Sequence, residues 1–537
     1  MIGVVASERD LEIAAELFQL FKTPWQPARP SRRYRVILAT EQPTADLDAN
    51  LIVLYSSRML EHDAREGVSA TPMAGPVDVA GAKTRFPLYR GLAHFDVEPS
   101  SSGLQCQGHA VEYHRQSGRC AVRRIGYDLF EEVRVLLSEG QPAEHALTPT
   151  LELHVEMLRR VLTECGVGFA EVLPRPASHD FIACLTHDVD FYGIRRHRFD
   201  RTLAGFVARA SIGTAIGLVR GRRLLADAIR NWAALLRLPF VFAGLTADFW
   251  RPFHDYARAD GHRQSTFFLL PFRGRPGVSP DGHIDARRSA PYQVSDIRQE
   301  AAEAEAHGAE LAVHGIDAWR DGDSATAELG ELASIDGARR VGVRMHWLYF
   351  DTTSPQHLET AGFAYDSTWG YNDAIGYRAG TSQVFQFLGT RLLELPMSIM
   401  DSALFYPGRM NLHDEAAAVM CRRVIAKAKR FGGTLVLNWH DRSLAPERLW
   451  GAFYRRLLGD IEQGNRVWFA TAGQAVDWFR WRRSICFRAA PNCEGLVIEA
   501  PDRIESAGVV RVHRRDSMGY RTEDIPFDGS EPITTYF

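Results

Sequence analysis

CLTHDVD, residues Cys184–Asp190, closes the apolar run FIACL (181–185) with four polar side chains: Thr186, His187, Asp188 and Asp190. The run reads as a short buried strand. A strand that stops in carboxylates and imidazole points to a metal or acid–base site at the carboxyl edge of a sheet. Two aspartates two residues apart can divide the work, one binding a cation while the other keeps a free carboxylate to take a proton. The alternative is a strand followed by a turn, with Asp188 or Asp190 capping a helix.

Two further strand-like runs end in histidine. AELAVHG leads into His314 and GTLVLNWHD into His440. One such histidine is commonly a structural hydrogen bonder. An Asp-bearing end and two His-bearing ends in one chain converge if the strands are parallel and form a barrel, because all carboxyl ends then open on one face.

With these residues the chain resembles the polysaccharide deacetylases, the family-four carbohydrate esterases with a NodB homology domain. THDVD is similar to their first motif and His314 to the first histidine of their second. Arg344 in GVRMHW stands where the third has an arginine. GFAYDSTWGY, with Asp366 and Trp369, resembles the fourth, and LNWH, ending at His440, the fifth. The ordered set spans roughly 180–480. HGIDAW, ALFYPGRM and NWHDRSLAPERLW resemble a bacterial subgroup of that family. The resemblance implies a metal-dependent hydrolase that removes acetyl from an N-acetylated sugar, glycan or glycan precursor. Hydrolysis of another non-peptide C–N bond is the alternative, as is a catalytically weak carbohydrate-binding or scaffold protein on a degenerate barrel.

The chain departs from the family at one position. The second motif there is His-x-x-x-His, and here Ala318 stands four residues after His314. Asp317 is the nearest substitute, and an Asp190–His314–Asp317 set suits zinc or a harder divalent cation. His346 and His187 are further candidates. By resemblance Asp188 is the base, Asp190 and His314 bind the metal, and His440 is the acid. Arg344 would hold Asp188 ionised, and Asp366 would orient and charge His440. Trp319, Trp347, Trp369, Tyr371 and Trp439 are candidate sugar platforms or core residues.

With 537 residues, two or three domains are expected. A net charge of −3 provides no global field for nucleic acid. Seven cysteines without paired CxxC spacing read as reduced thiols. The N-terminus MIGVVASERDLEIAAELF has acidic residues where a signal peptide has a basic start, so a cytoplasmic location is expected.

Residues 1–175 alternate helix-like and strand-like runs and read as a small α/β domain, with PRPASHD (174–180) as linker. FIACLT, STFFLL, AELAVH, RVGVRM, GFAYD, RLLELP, TLVLNW and RVWFAT are eight strand candidates, many separated by helix-like segments. That alternation predicts an irregular (β/α) barrel over 180–484. Residues 191–263, roughly, form a basic, helix-like insertion, read as helices packed over the barrel mouth, as a lid, or as a surface helix touching anionic lipid or a lipid-linked sugar. Residues 485–537 read as a small β appendage.

Overall fold

The computed structural model describes residues 1–30, 32–44, 47–81, 84–101, 103–220, 224–336, 340–490, 495–516 and 519–537. The largest sheet is built on the Phe181–Val189 strand, every residue of which is buried. Its first five residues, FIACL, are apolar on both faces, as a parallel strand covered by helices requires. Its carboxyl half pairs in parallel with Ser265–Leu269 and its amino half with Thr434–Asn438 and Val467–Phe469. Parallel pairing continues from Ser265–Leu269 to Glu310–Gly315, Gly342–Met345 and Tyr365–Asp366. All eight strand-like runs contain a strand.

The sheet curls into a half-barrel, and the chain from Leu393 to Met400 bridges its two edges. Leu393–Glu394 pairs with Asp366, and Ile399–Met400 pairs with Leu437 and Asn438. Between them the Leu395 and Ser398 amides donate to the carbonyls of Asp366 and Val436. Helices such as Arg298–Ala306, Ser354–Ala361, Asp414–Phe431 and Gly451–Glu462 alternate with the strands.

The N-terminal sheet runs Glu112–Ser117, Cys120–Ile125, Asp48–Tyr55, Arg33–Ala39, Ile2–Val5, Trp25–Pro27, parallel except for its first pair. Ser7 caps the helix Glu8–Phe21 by accepting from the Asp10 amide. Residues 70–110 add a small antiparallel sheet of strands two to four residues long, too short to show a period in sequence. This N-terminal part is fastened to the half-barrel by buried polar contacts. Glu152 accepts from Thr381 and Gln383, Arg482 donates to the carbonyls of Gln19, Leu20 and Val172, and Arg483 pairs with Glu16. The C-terminal hairpin Gly508–Asp516/Gly519–Phe527 pairs with Phe169–Leu173.

Between the first two strands of the half-barrel, Arg201–Val219 and Leu225–Phe242 form a helical hairpin, joined by a buried Asn231–Thr214 hydrogen bond of 2.8 Å. It packs through Phe206, Ala210, Ala234 and Val241 against Trp250 and Ala445. Arg222 and Arg223 of the basic run lie outside the described residues.

Candidate metal centre and acid–base pair

Alternation along the first strand sorts its polar residues. Asp188 and Asp190 line the cavity at the strand end, and Thr186, on the same side, is buried between the Leu437 carbonyl and Arg344. His187 points the other way, stacked on Tyr256 at 3.5 Å and hydrogen-bonded to Asp260 and the Trp439 carbonyl. It belongs to the packing between strand and helix and takes no part in the site.

Asp190, His314 and His346 each present one ligand atom, all within 4.8 Å of one another. Asp190 Oδ1 lies 3.3 Å from His314 Nε2 and 3.2 Å from His346 Nδ1, and those two nitrogens are 2.8 Å apart. This buried carboxylate oxygen makes no hydrogen bond. His314 Nδ1 lies 3.0 Å from the Arg344 carbonyl, to which it donates, and this turns Nε2 towards the cluster. Burial lowers the pKa of His346 to about 4, against the attraction of Asp190, so this ring is neutral. Two imidazoles and one carboxylate, with an orphaned buried oxygen between them, fit a divalent cation. Three protein donors that leave a position open are the arrangement of catalytic zinc.

Asp317 is not in this group, contrary to the sequence-based expectation. Chain direction explains why. After Gly315 the backbone turns towards Glu328, which accepts from the Ile316 and Asp317 amides, and the Asp317 carboxylate accepts from the Val278 amide. The third donor comes from the neighbouring strand. His314 is in register with Arg344, so His346, two residues further on, projects beside it. Gly315 permits the approach, since a Cβ there would meet the Met345 sulfur at 2.5 Å.

Asp188 is held at both oxygens, by Arg344 at 3.0 Å and by Asn438 Nδ2 at 2.6 Å. Burial acts to raise its pKa, but His314, Arg344 and His440 outweigh it and hold the carboxyl below its usual range. Arg344 is itself fixed by Thr186, by the Ser367 carbonyl and hydroxyl, and over the Phe268 ring.

His440 sits on another side of the same cavity. Its partner is Asp401, not Asp366. The ring Nδ1 lies 2.6 Å from Asp401 Oδ1, and the His440 amide donates to Oδ2 at 2.8 Å. Ser443 also donates to Asp401. Burial opposes charge on His440, yet Asp401, Asp190 and Asp188 raise its pKa to about 10. Asp366 instead takes a 2.5 Å hydrogen bond from Thr368 and forms a buried carboxyl pair with Glu394, in which burial raises both pKa values. It is turned away because its strand joins Leu393–Glu394, on the far side of the bridging segment from His440.

The cavity encloses about 280 Å³. Of the aromatic candidates, Trp319, Trp369 and Trp439 are buried core residues, whereas Trp347 is 36% exposed and lines the cavity. Trp347 has φ +66°, an uncommon conformation for a bulky residue, and Asn372 donates to its carbonyl. Tyr406 and Trp450 also line the cavity; both stand in the strings ALFYPGRM and NWHDRSLAPERLW, which marked the stretch but not these side chains.

No family model matches the chain, and no curated protein matches it. Solved structures do. One is a polysaccharide deacetylase from Mycobacterium smegmatis, 18% identical, covering 58% of this chain and 95% of that one with a TM-score of 0.34. Puue allantoinase is 14% identical over 57% of this chain and 91% of its own, TM-score 0.33. A polysaccharide deacetylase from Pseudomonas aeruginosa PAO1 is 14% identical over 56% and 92%, TM-score 0.34. Likenesses this remote assign no chemistry, which rests on the side chains themselves.

Proposed function

We propose that the chain is a metal-dependent hydrolase that removes the acetyl group from an N-acetylated sugar or glycan. The observation that carries this reading is one cavity in which three metal donors converge between a fixed carboxylate, Asp188, and a protonated histidine, His440. A divalent cation, zinc by its donor set, would be held by Asp190, His314 and His346 and would supply positive charge for a developing oxyanion and for acidifying water. Arg344 and Asn438 occupy one lone pair on each Asp188 oxygen and leave others to accept a proton from the attacking water. Arg344 keeps that carboxylate ionised. Asp401 keeps His440 protonated, so its Nε2 proton passes to the departing amine as the C–N bond breaks. Acetate and a free amino sugar result.

Other non-peptide C–N bonds could be cut by the same groups. Trp347, Tyr406 and Trp450, all on the cavity wall, favour a sugar, whose apolar ring face stacks on aromatic side chains. Acetate release from a panel of N-acetylated sugars, with zinc-loaded protein, tests the reading. No release from any of them, with metal bound, would refute it. Trp347→Ala should raise KM by about 10-fold with little change in kcat, as loss of one stacking platform predicts; an unchanged KM would remove Trp347 from the sugar site.

Asp401→Asn carries a pH prediction. His440 must be protonated to act as acid, so activity is full below its pKa and lost as pH rises through it. Removing the Asp401 charge lowers that pKa. The alkaline limb of kcat/KM should therefore move to lower pH, by at least about one unit. Comparison at equal metal loading isolates Asp401 from the cation, and an unmoved limb would show that another group sets it.

A further inference from the structure

Five arginines line the cavity: Arg287, Arg288, Arg409, Arg442 and Arg448. Two are already satisfied. Arg287 pairs with Asp285 at 2.9 Å, and Arg288 is spent on the carbonyls of Pro276, Ile316 and His346. The hydrogen bonds and ring contacts of the other three go to neutral groups. Arg442 lies over the Phe191 ring at 3.5 Å. Arg448 donates to the Tyr406 hydroxyl at 2.7 Å and lies over the Trp450 ring at 5.1 Å. Arg409 donates to the Ser402 hydroxyl at 2.7 Å. Among the described residues none of the three forms an ion pair within 4.0 Å, although the buried acids Asp441 and Glu447 are near Arg442 and Arg448. These arginines come from ALFYPGRM and NWHDRSLAPERLW, strings of which the acetyl chemistry uses only Asn438 and His440.

Resting on the deacetylase reading, we propose that the substrate carries a phosphoryl group, seated on Arg409, Arg442 and Arg448. Three guanidinium forks with no direct ion pair match the several oxygens and the charge of a phosphate ester. The phosphate can belong to a soluble sugar phosphate or nucleotide sugar, or to a lipid-linked sugar. Titration of the full chain with inorganic phosphate tests the subsite without needing turnover. Binding should weaken about 10–100-fold in Arg442→Gln/Arg448→Gln, and also in Arg409→Gln, which keeps the test open if the double variant misfolds. It should persist in His346→Ala. Loss in His346→Ala with retention in the arginine variants would mean the metal holds the anion, and would overturn the proposal, as would no binding at all. Turnover of N-acetylglucosamine 1-phosphate, UDP-N-acetylglucosamine and a polyprenyl-phosphate-linked N-acetylglucosamine, each against N-acetylglucosamine, separates the sources. Preference for any phosphorylated form supports the subsite, and equal turnover overturns it. If no sugar is hydrolysed but phosphate binds as described, the deacetylase reading fails and the subsite stands.

A separate observation lies on the surface. Twelve of the 17 exposed large hydrophobic residues among the described residues fall between Phe199 and Leu245. Arg201–Val219 is long and apolar enough to cross a membrane, and only 17% of it is buried. Residues 195–245 hold ten arginines against two aspartates. We infer that this hairpin docks on an anionic bilayer, with Ile216, Val219, Leu225 and Leu236 entering the headgroup boundary. An apolar face flanked by arginines is the pattern of an interfacial helix. Because Ala445 packs beneath the hairpin, docking would set the arginine-lined mouth beside the lipid surface. The full chain should float with phosphatidylglycerol-containing vesicles and not with phosphatidylcholine alone. Ile216→Ser/Leu225→Ser/Leu236→Ser, all exposed positions, should abolish flotation with an unchanged melting temperature. Equal flotation of this variant, or no flotation of the parent, would overturn the inference. So would a dimer lost in the same variant without any lipid binding, which would mark a self-association face.

Discussion

His346→Ala should abolish both metal binding and turnover, whereas Asp317→Ala should leave one metal per chain. The expectation follows from distances. Ligand bonds of about 2.1 Å in a tetrahedron place neighbouring donor atoms roughly 3.4 Å apart. The three donor separations here, 2.8, 3.2 and 3.3 Å, open to that spacing with shifts of a few tenths of an ångström. Removing one of three protein donors should weaken affinity beyond the roughly 10–100-fold typical of losing a group that only supports a ligand. The Asp317 carboxylate, committed to the Val278 amide, should affect loop stability instead. Metal content by mass spectrometry after dialysis checks both variants. Stoichiometric metal in His346→Ala, or its loss in Asp317→Ala, would return the third position to the second-motif loop.

What sequence could and could not disclose follows the range of the interactions involved. Phe181–Val189, Glu310–Gly315 and Thr434–Asn438 are legible because each is an apolar run long enough to bury a whole parallel strand. Asp190 and His314 are legible for the same reason, as polar residues where those runs stop. His346 is harder to choose over Asp317, because nearness in sequence favours the latter. Only the His314–Arg344 register, which is not written in either strand alone, brings His346 into place. Asp401 carries no signal of its own in the sequence. It follows a strand of two residues, Ile399–Met400, whose pairing with Leu437 and Asn438 exists only because the Leu393–Met400 segment spans the gap between the sheet edges. Motif order makes Asp366 the partner of His440, but its side chain faces Glu394 under the opposite edge. The short antiparallel strands within 70–110 are hidden because two to four residues carry no period.

Asp188→Asn and His440→Ala should each cut hydrolysis by about 10²–10⁴-fold, the usual worth of a general base or acid, yet respond differently to the leaving group. The amide introduced by Asp188→Asn keeps the shape of the side chain and one oxygen for Arg344 or Asn438. The position is not a metal donor, so metal content should stay at one per chain. The amide cannot take a proton from water, and that defect is the same whatever group departs. His440→Ala loses only the proton delivered to the amine. An acetanilide whose amine is a weak base, such as a nitro-substituted one, needs that proton less. On this substrate His440→Ala should recover a large part of its lost rate, and Asp188→Asn should recover none. Rates on poor and activated leaving groups, measured for both variants at matched metal loading, decide the assignment. Recovery by Asp188→Asn alone would exchange the two roles, and full turnover by Asp188→Asn on any substrate would remove Asp188 from the chemistry.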